Sequence, residues 1–256
     1  SGTTIGAGAT LAYGSSLTFA AESLTMNGGT LSRSANNPTM NGTIALTGAN
    51  TVTGTAGTFT LGGIVSGTGS LAKTGAGTVV LSGNNTYSGA TTISAGTLRA
   101  TTSANALGAT GVASGTTIGA GATLAYGSSL TFAAESLTMN GGTLSRSAGN
   151  PTMNGTIALT GANTVTGTAV STFTLGGIIS GTGSLAKTGT GTVVLAGANT
   201  YTGATSVSAG ILQLNSINGL GDVAAGTTVT AGTLAYNGSL TFDAESLTLN
   251  GGTLSR

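Results

Sequence analysis

Apolar residues along this chain come in short alternating pairs, one at i and one at i+2: Leu11/Tyr13, Leu17/Phe19, Leu24/Met26, Ile44/Leu46, Phe59/Leu61 and Val79/Leu81. A period of two is that of a strand with one buried face. Between the pairs stand Gly, Asn, Ser and Thr, as in Asn27-Gly28-Gly29, Asn41-Gly42 and Gly83-Asn84-Asn85. These residues tolerate positive φ and make turns. No window combines a helical period with caps.

The spacing of the apolar landings predicts the architecture. Leu11, Leu17, Leu24, Leu31, Ile44, Val52, Phe59, Leu71, Val79, Tyr87, Ile93 and Leu98 fall mostly 6–8 residues apart. One landing per strand and three strands per coil predict an all-β chain wound as a parallel β-helix, with about 20 residues per coil. Crossovers between parallel strands are right-handed in nearly all cases, so a right-handed solenoid is expected. An antiparallel meander or barrel is the competing fold, because Asn-Gly turns also favour hairpins. A membrane barrel needs aromatic girdles, and 4% scattered aromatics do not supply them.

The pattern is itself repeated. Residues 1–56 and 114–169 are the same sequence except that Asn36 becomes Gly149. An inserted residue near Val170 shifts the copy, which runs on to about Ala113 and Ala225; a third copy opens at Gly226 and reaches Arg256, the counterpart of Arg33 and Arg146. Modules are therefore placed at 1–113, 114–225 and 226–256, forming one continuous solenoid of about five or six coils per module. An array of interchangeable modules acts by extension rather than through one unique site.

Composition narrows the function. Charged residues are 4% of the chain, the net charge is +1 and 39% of residues are hydrophobic. Disorder needs the reverse balance. Six basic residues over 256 give no footprint for nucleic acid. No apolar run is long enough for a membrane helix, so no membrane insertion by this segment is expected. The chain shows no signal peptide and does not open on Met, which suits an excised or mature piece. Zero Cys removes disulfides and thiolate metal sites.

The chemical inventory is thin. Zero His excludes Ser-His catalysis and His metal sites. The acids are Glu22, Glu135, Glu245, Asp222 and Asp243, and the first three are one position in successive modules. Asp243 and Glu245 could share a strand face, but Asp243 replaces Ala20 and Ala133, so the pair is not a module feature. Glu22/Arg33 recurs as Glu135/Arg146 and Glu245/Arg256, and is expected to be an exposed ion pair worth at most about 1 kcal/mol. Gly75-Ala76-Gly77 and Gly6-Ala7-Gly8 lack the third Gly of a dinucleotide loop, and the Asp of calcium-binding nonapeptides is missing. Thr-x-Thr triplets at Thr51/Thr53, Thr58/Thr60, Thr164/Thr166, Thr172/Thr174 and Thr228/Thr230 do not recur once per coil, which argues against an ice-binding array. No catalytic, cofactor or metal residue is therefore expected.

Within each module lies GSLAKTGAGTVVLSGNNTYSGATTISAGTL (69–98), copied as GSLAKTGTGTVVLAGANTYTGATSVSAGIL (183–212) and followed by NALGATGVASGTTIGAGATLAY (105–126), with a looser copy at 218–236. Lys73, Gly75, Gly77, Leu81, Gly83, Asn85-Thr86-Tyr87, Gly89, Thr91, Ile93, Gly96 and Leu98 carry the match. This segment resembles the autotransporter-associated β-strand repeat of large bacterial surface and secreted proteins. The resemblance implies a right-handed β-helical passenger, extracellular or on the cell surface, acting as a stalk, adhesin or matrix component. It carries over no catalytic residue. Lys73 and Lys187 match the family lysine and are expected to mark turns and keep sheets from pairing sideways. Asn85-Thr86-Tyr87 and Asn199-Thr200-Tyr201 read as a turn plus an aromatic cap on the core.

The expected function is a non-catalytic structural or adhesive segment of an extracellular fibre. The alternatives are a ligand-binding β-helix, for ice or glycan, and a polysaccharide-processing enzyme. The expected partners are copies of itself, end to end or laterally, and surface glycans. Neither end carries a polar cap of the kind terminal solenoid repeats need, so a longer rod, covalent or assembled, is expected.

Overall fold

Parallel strands two to six residues long, joined by glycine corners, make up almost all of the regular structure. The computed structural model describes residues 2–19, 22–111, 114–168, 171–237 and 245–256. The chain forms two compact units, Ser1–Ala125 and Tyr126–Arg256. Both are parallel β-solenoids, with about 11 turns of about 21 residues between them. The all-β solenoid expected from the landings is therefore present.

In the first unit, each of the first four turns of chain lays one strand on each of three faces. The first face stacks Thr3–Ile5, Leu24–Asn27, Ile44–Thr47 and Val65–Gly67. The second stacks Thr10–Tyr13, Thr30–Arg33, Ala49–Gly54, Ser70–Thr74, Thr91–Ile93 and Thr116–Ile118. The third stacks Thr18–Phe19, Thr39–Met40, Thr58–Leu61, Thr78–Leu81 and Thr97–Ala100. Three strands per coil holds for four coils only. In the middle of the family-like segment, residues 83–88 form no strand, although Thr86 N still donates to Val65 O (2.8 Å) and Ser88 N to Gly67 O (2.9 Å).

The second unit repeats this plan. Leu137–Asn140, Ile157–Thr160 and Ile179–Gly181 share one face. Thr143–Arg146, Ala162–Gly167, Ser184–Thr188, Thr205–Val207, Thr227–Val229 and Leu247–Leu249 share the next. The last face runs from Thr131–Phe132 and Thr152–Met153 through Thr172–Leu175, Thr192–Leu195, Ile211–Leu214 and Thr233–Tyr236 to Thr253–Ser255.

Register puts like on like. Inward side chains form columns such as Phe59–Val79–Leu98 and Leu61–Leu81–Ala100, all buried. Their alternation with outward Thr gives each strand one dry face, and β-branched Thr suits the pleated outer surface. Each fully buried Leu or Phe contributes roughly 1.5–3 kcal/mol. One landing fails: Leu17 is 60% exposed, because only Thr18 and Phe19 of that stretch are strand and the preceding Gly14–Ser16 bends away. Phe19 packs on Tyr13 instead, with ring centroids 4.4 Å apart.

A module is not a whole number of coils. The strand Thr3–Ile5 lies on the first face of its unit, yet its copy Thr116–Ile118 lies on the second. Five steps along the second face, plus the one face from Thr3–Ile5 to Thr10–Tyr13, make five and a third turns. The second unit shows the same advance: Leu137–Asn140 and its copy Leu247–Leu249 occupy successive faces.

Candidate functional site

The family-like segment concentrates the polar residues with defined roles, and they turn inward. Lys73 belongs to an inward column, paired in register with Val52 below and Ile93 above. It is wholly buried. Its stem crosses the core edge and its Nζ donates to Thr74 O (2.9 Å), Gly75 O (2.7 Å) and Ala95 O (2.9 Å). Three acceptors match the three N–H groups of an ammonium. Two belong to the corner of its own coil and one to the coil above, so the cation fastens coil to coil. Lys187 repeats this with Thr188 O (2.9 Å), Gly189 O (2.8 Å) and Ala209 O (2.9 Å). Burial pulls both amines down to about 8. The lysines do mark turns, as expected, but being buried they fasten coils rather than guard a sheet edge. A long stem at an inward position can reach carbonyls that a corner would otherwise leave unpaired.

Asn85 is the second fastening. Val65 N donates to its Oδ1 (2.8 Å), and its Nδ2 donates to Ala106 O (2.6 Å). It therefore bridges three successive levels in place of the missing strand. Asn199 does the same between Ile179 N (2.8 Å) and Gly219 O (2.7 Å). Tyr87 and Tyr201 are also wholly buried, so they are core residues rather than rim caps. Their hydroxyls meet Thr91 Oγ1 (2.8 Å) and Thr205 Oγ1 (2.6 Å), not solvent.

The Glu22/Arg33 position is also corrected. Arg33 is buried and its Nε donates to Asn36 O, inside the corner. Glu22 is exposed and accepts from Thr3 Oγ1 (2.5 Å). No ion pair joins Glu22 to Arg33 among the described residues. Arg146 is likewise buried, with Nη1 on Gly149 O (2.9 Å).

Asp243 lies outside the described residues. Glu245 accepts from Thr227 Oγ1 (2.5 Å), and partial burial raises its pKa while that bond opposes the rise. It lines a groove with Ile217, Asn218, Leu220, Gly221, Asp222 and Val223, where Asp222 Oδ1 caps Ala224 N (2.9 Å). Among the described residues no group of three or more His, Cys, Asp or Glu is placed to hold a metal.

The outer surface holds an order that sequence spacing concealed. On the second face of the first unit, Thr10, Thr30, Thr51, Ala72, Thr92 and Thr117 stack in register. Ala12, Ser32, Thr53 and Thr74 form a parallel file. In the second unit Thr143, Thr164, Ala186, Ser206, Thr228 and Thr248 do likewise. Literal triplets are sparse, but small hydroxyl-bearing residues recur on nearly every coil.

The passenger-associated-transport-repeat family model matches residues 71–100 and 185–214, the stretches that begin just before Lys73 and Lys187 and run past Tyr87 and Tyr201. The chain thus carries two copies of that repeat, in agreement with the resemblance read from Gly69–Leu98. Comparison with curated proteins and with solved structures gave no match.

Proposed function

We propose that this chain is a non-catalytic structural segment of a passenger-type protein that is secreted or displayed on the cell surface, working as a stalk with adhesive faces. One observation carries the reading. Four residues that define the repeat (Lys73 and Asn85, with Lys187 and Asn199) are spent on fastening one coil to the next, while Tyr87 and Tyr201 brace a corner within their own coil. A site that turned over a polysaccharide would need acid and base groups facing a cleft. Its partners in this reading are further coils of the same kind and surface glycans.

Deleting one module from the parent protein should shorten the projection seen by electron microscopy and leave surface display intact. Unchanged length, or turnover of a panel of neutral and acidic polysaccharides that depends on Asp222 or Glu245, would remove this reading.

The stacked Thr files favour a second reading: a face that binds a periodic lattice, ice or a crystalline glycan. Their spacing is about 4.8 Å along the file and about 6.6 Å between i and i+2. Thr51→Tyr and Thr164→Tyr would interrupt the files without touching the core. Loss of ice-recrystallisation inhibition or of glycan pull-down in these variants supports it; no such activity in the parent chain removes it.

A further inference from the structure

Two buried asparagines outside the family-like segment, Asn50 and Asn163, reach across a coil to the backbone of an Asn-Gly pair. Asn-Gly is the dipeptide most prone to spontaneous deamidation. The glycine nitrogen loses its proton and attacks the asparagine Cγ, a C–N bond forms, and ammonia leaves. Water then opens the succinimide to aspartate or isoaspartate, so the balance is one water consumed and one ammonia released. The sequence Asn-Gly-Gly-Thr-Leu-Ser-Arg occurs three times, beginning at Asn27, Asn140 and Asn250. All three asparagines are exposed.

At the first two copies the attacking nitrogen is held. Gly28 N donates to Asn50 Oδ1 (2.9 Å) and to Thr47 O (3.2 Å). Gly141 N donates to Asn163 Oδ1 (2.9 Å) and to Thr160 O (3.1 Å). Asn50 and Asn163 are each 1% exposed, and each is fixed by its own Nδ2. Asn50 donates to Thr47 O (3.0 Å), Gly48 O (3.2 Å) and, more weakly, Ser70 O (3.4 Å). Asn163 repeats this with Thr160 O (3.0 Å), Gly161 O (3.2 Å) and Ser184 O (3.4 Å). The acceptor therefore sits on the next coil and cannot swing away unless that coil lifts. Gly251 N makes no such bond among the described residues.

We propose that Asn27 and Asn140 are modification sites gated by coil stacking, with Asn50 and Asn163 as the guards that keep the glycine N–H from cyclising. A closed coil keeps the amide. A coil that opens exposes the nitrogen, and the resulting carboxylate records the opening permanently. In a chain of net charge +1, one such event cancels the balance.

The test is peptide mapping by mass spectrometry of the intact 256-residue chain, held at mildly alkaline pH and sampled over days, with isoaspartate detected separately. Asn250 should convert first. Asn27 and Asn140 should lag by about tenfold or more, the factor one hydrogen bond can supply. In urea all three should convert at about one rate, since the six residues that follow each are the same. Asn50→Ala should speed Asn27 by about tenfold and leave Asn140 unchanged, and Asn163→Ala should do the reverse. The comparison within the unaltered chain needs no variant to fold. Equal conversion at all three positions in the folded chain would overturn the proposal, as would guard variants that change neither rate.

Discussion

Replacing Lys73 by Met tests whether the buried ammonium fastens the coils. Met keeps most of the stem in the column between Val52 and Ile93 but removes the donor. Thr74 O, Gly75 O and Ala95 O would each lose a charge-assisted bond of 2.7–2.9 Å inside the corner. A buried carbonyl left unpaired costs about 1 kcal/mol or more, so three give about 3 kcal/mol, reduced at neutral pH because Met also removes the penalty of burying a charge. Lys73→Ala should cost about 2 kcal/mol beyond that, through lost methylenes. Urea unfolding gives the total. Because solenoids open locally, amide exchange at residues 74–77 and 95–97 should be followed too. Lys187→Met supplies a replicate in the other unit. A Lys73→Met chain as stable as the parent, with unchanged exchange at both corners, would refute the fastening.

The same lysines set a pH profile. Folded amines at about 8, against 10.5 when free, mean that the unfolded chain binds more protons between those values, so stability should rise with pH across that window and both Met variants should flatten it. Above about pH 10 the slope should reverse, because burial raises Tyr13, Tyr126 and Tyr201 and favours their neutral form in the fold; pH-dependent melts check both limbs. Tyr201→Phe should cost about 1–2 kcal/mol by leaving Thr205 Oγ1 buried without its 2.6 Å partner, and a change under 0.3 kcal/mol would show the bond to be dispensable. Gly155→Ala should uncouple its coil locally, since a Cβ there would overlap Glu135 O, and faster exchange around 152–157 than elsewhere is the signature. At Asn36, which has φ 56°, Ala should cost about 1–2 kcal/mol while Gly should be near neutral, as its copy Gly149 at φ 66° implies; a thermal melt of both variants decides it.

The solenoid was legible because its signal is local. Alternation at Leu24/Met26 or Phe59/Leu61 reports a strand face, and corners rich in glycine report where the face ends. Repeated spacing then gives the coil. The polar residues were less legible because their partners lie about 20 residues away, on the next coil. Lys73 reads as a surface residue by its charge, and only the register that stacks it between Val52 and Ile93 shows it to be internal. Arg33 was misread for the same reason. The Thr files were hidden because offsets between coils vary between 20, 21 and 25 residues, as in Leu71↔Thr91, Thr30↔Thr51 and Thr91↔Thr116, so no fixed period marks them in the sequence.

The extra third of a turn in each module ties copy number to sidedness. Near-identical repeats gain and lose copies readily when DNA recombines between them. In an array with whole-coil modules, such an event changes only length. Here, within one solenoid unit, the gain of one module would carry the strands that follow it to the neighbouring face, and two would carry them to the third. Only a change of three modules returns each strand to its original side. A lineage that varies its repeat number would therefore also change which face each later copy of a given strand occupies within its solenoid.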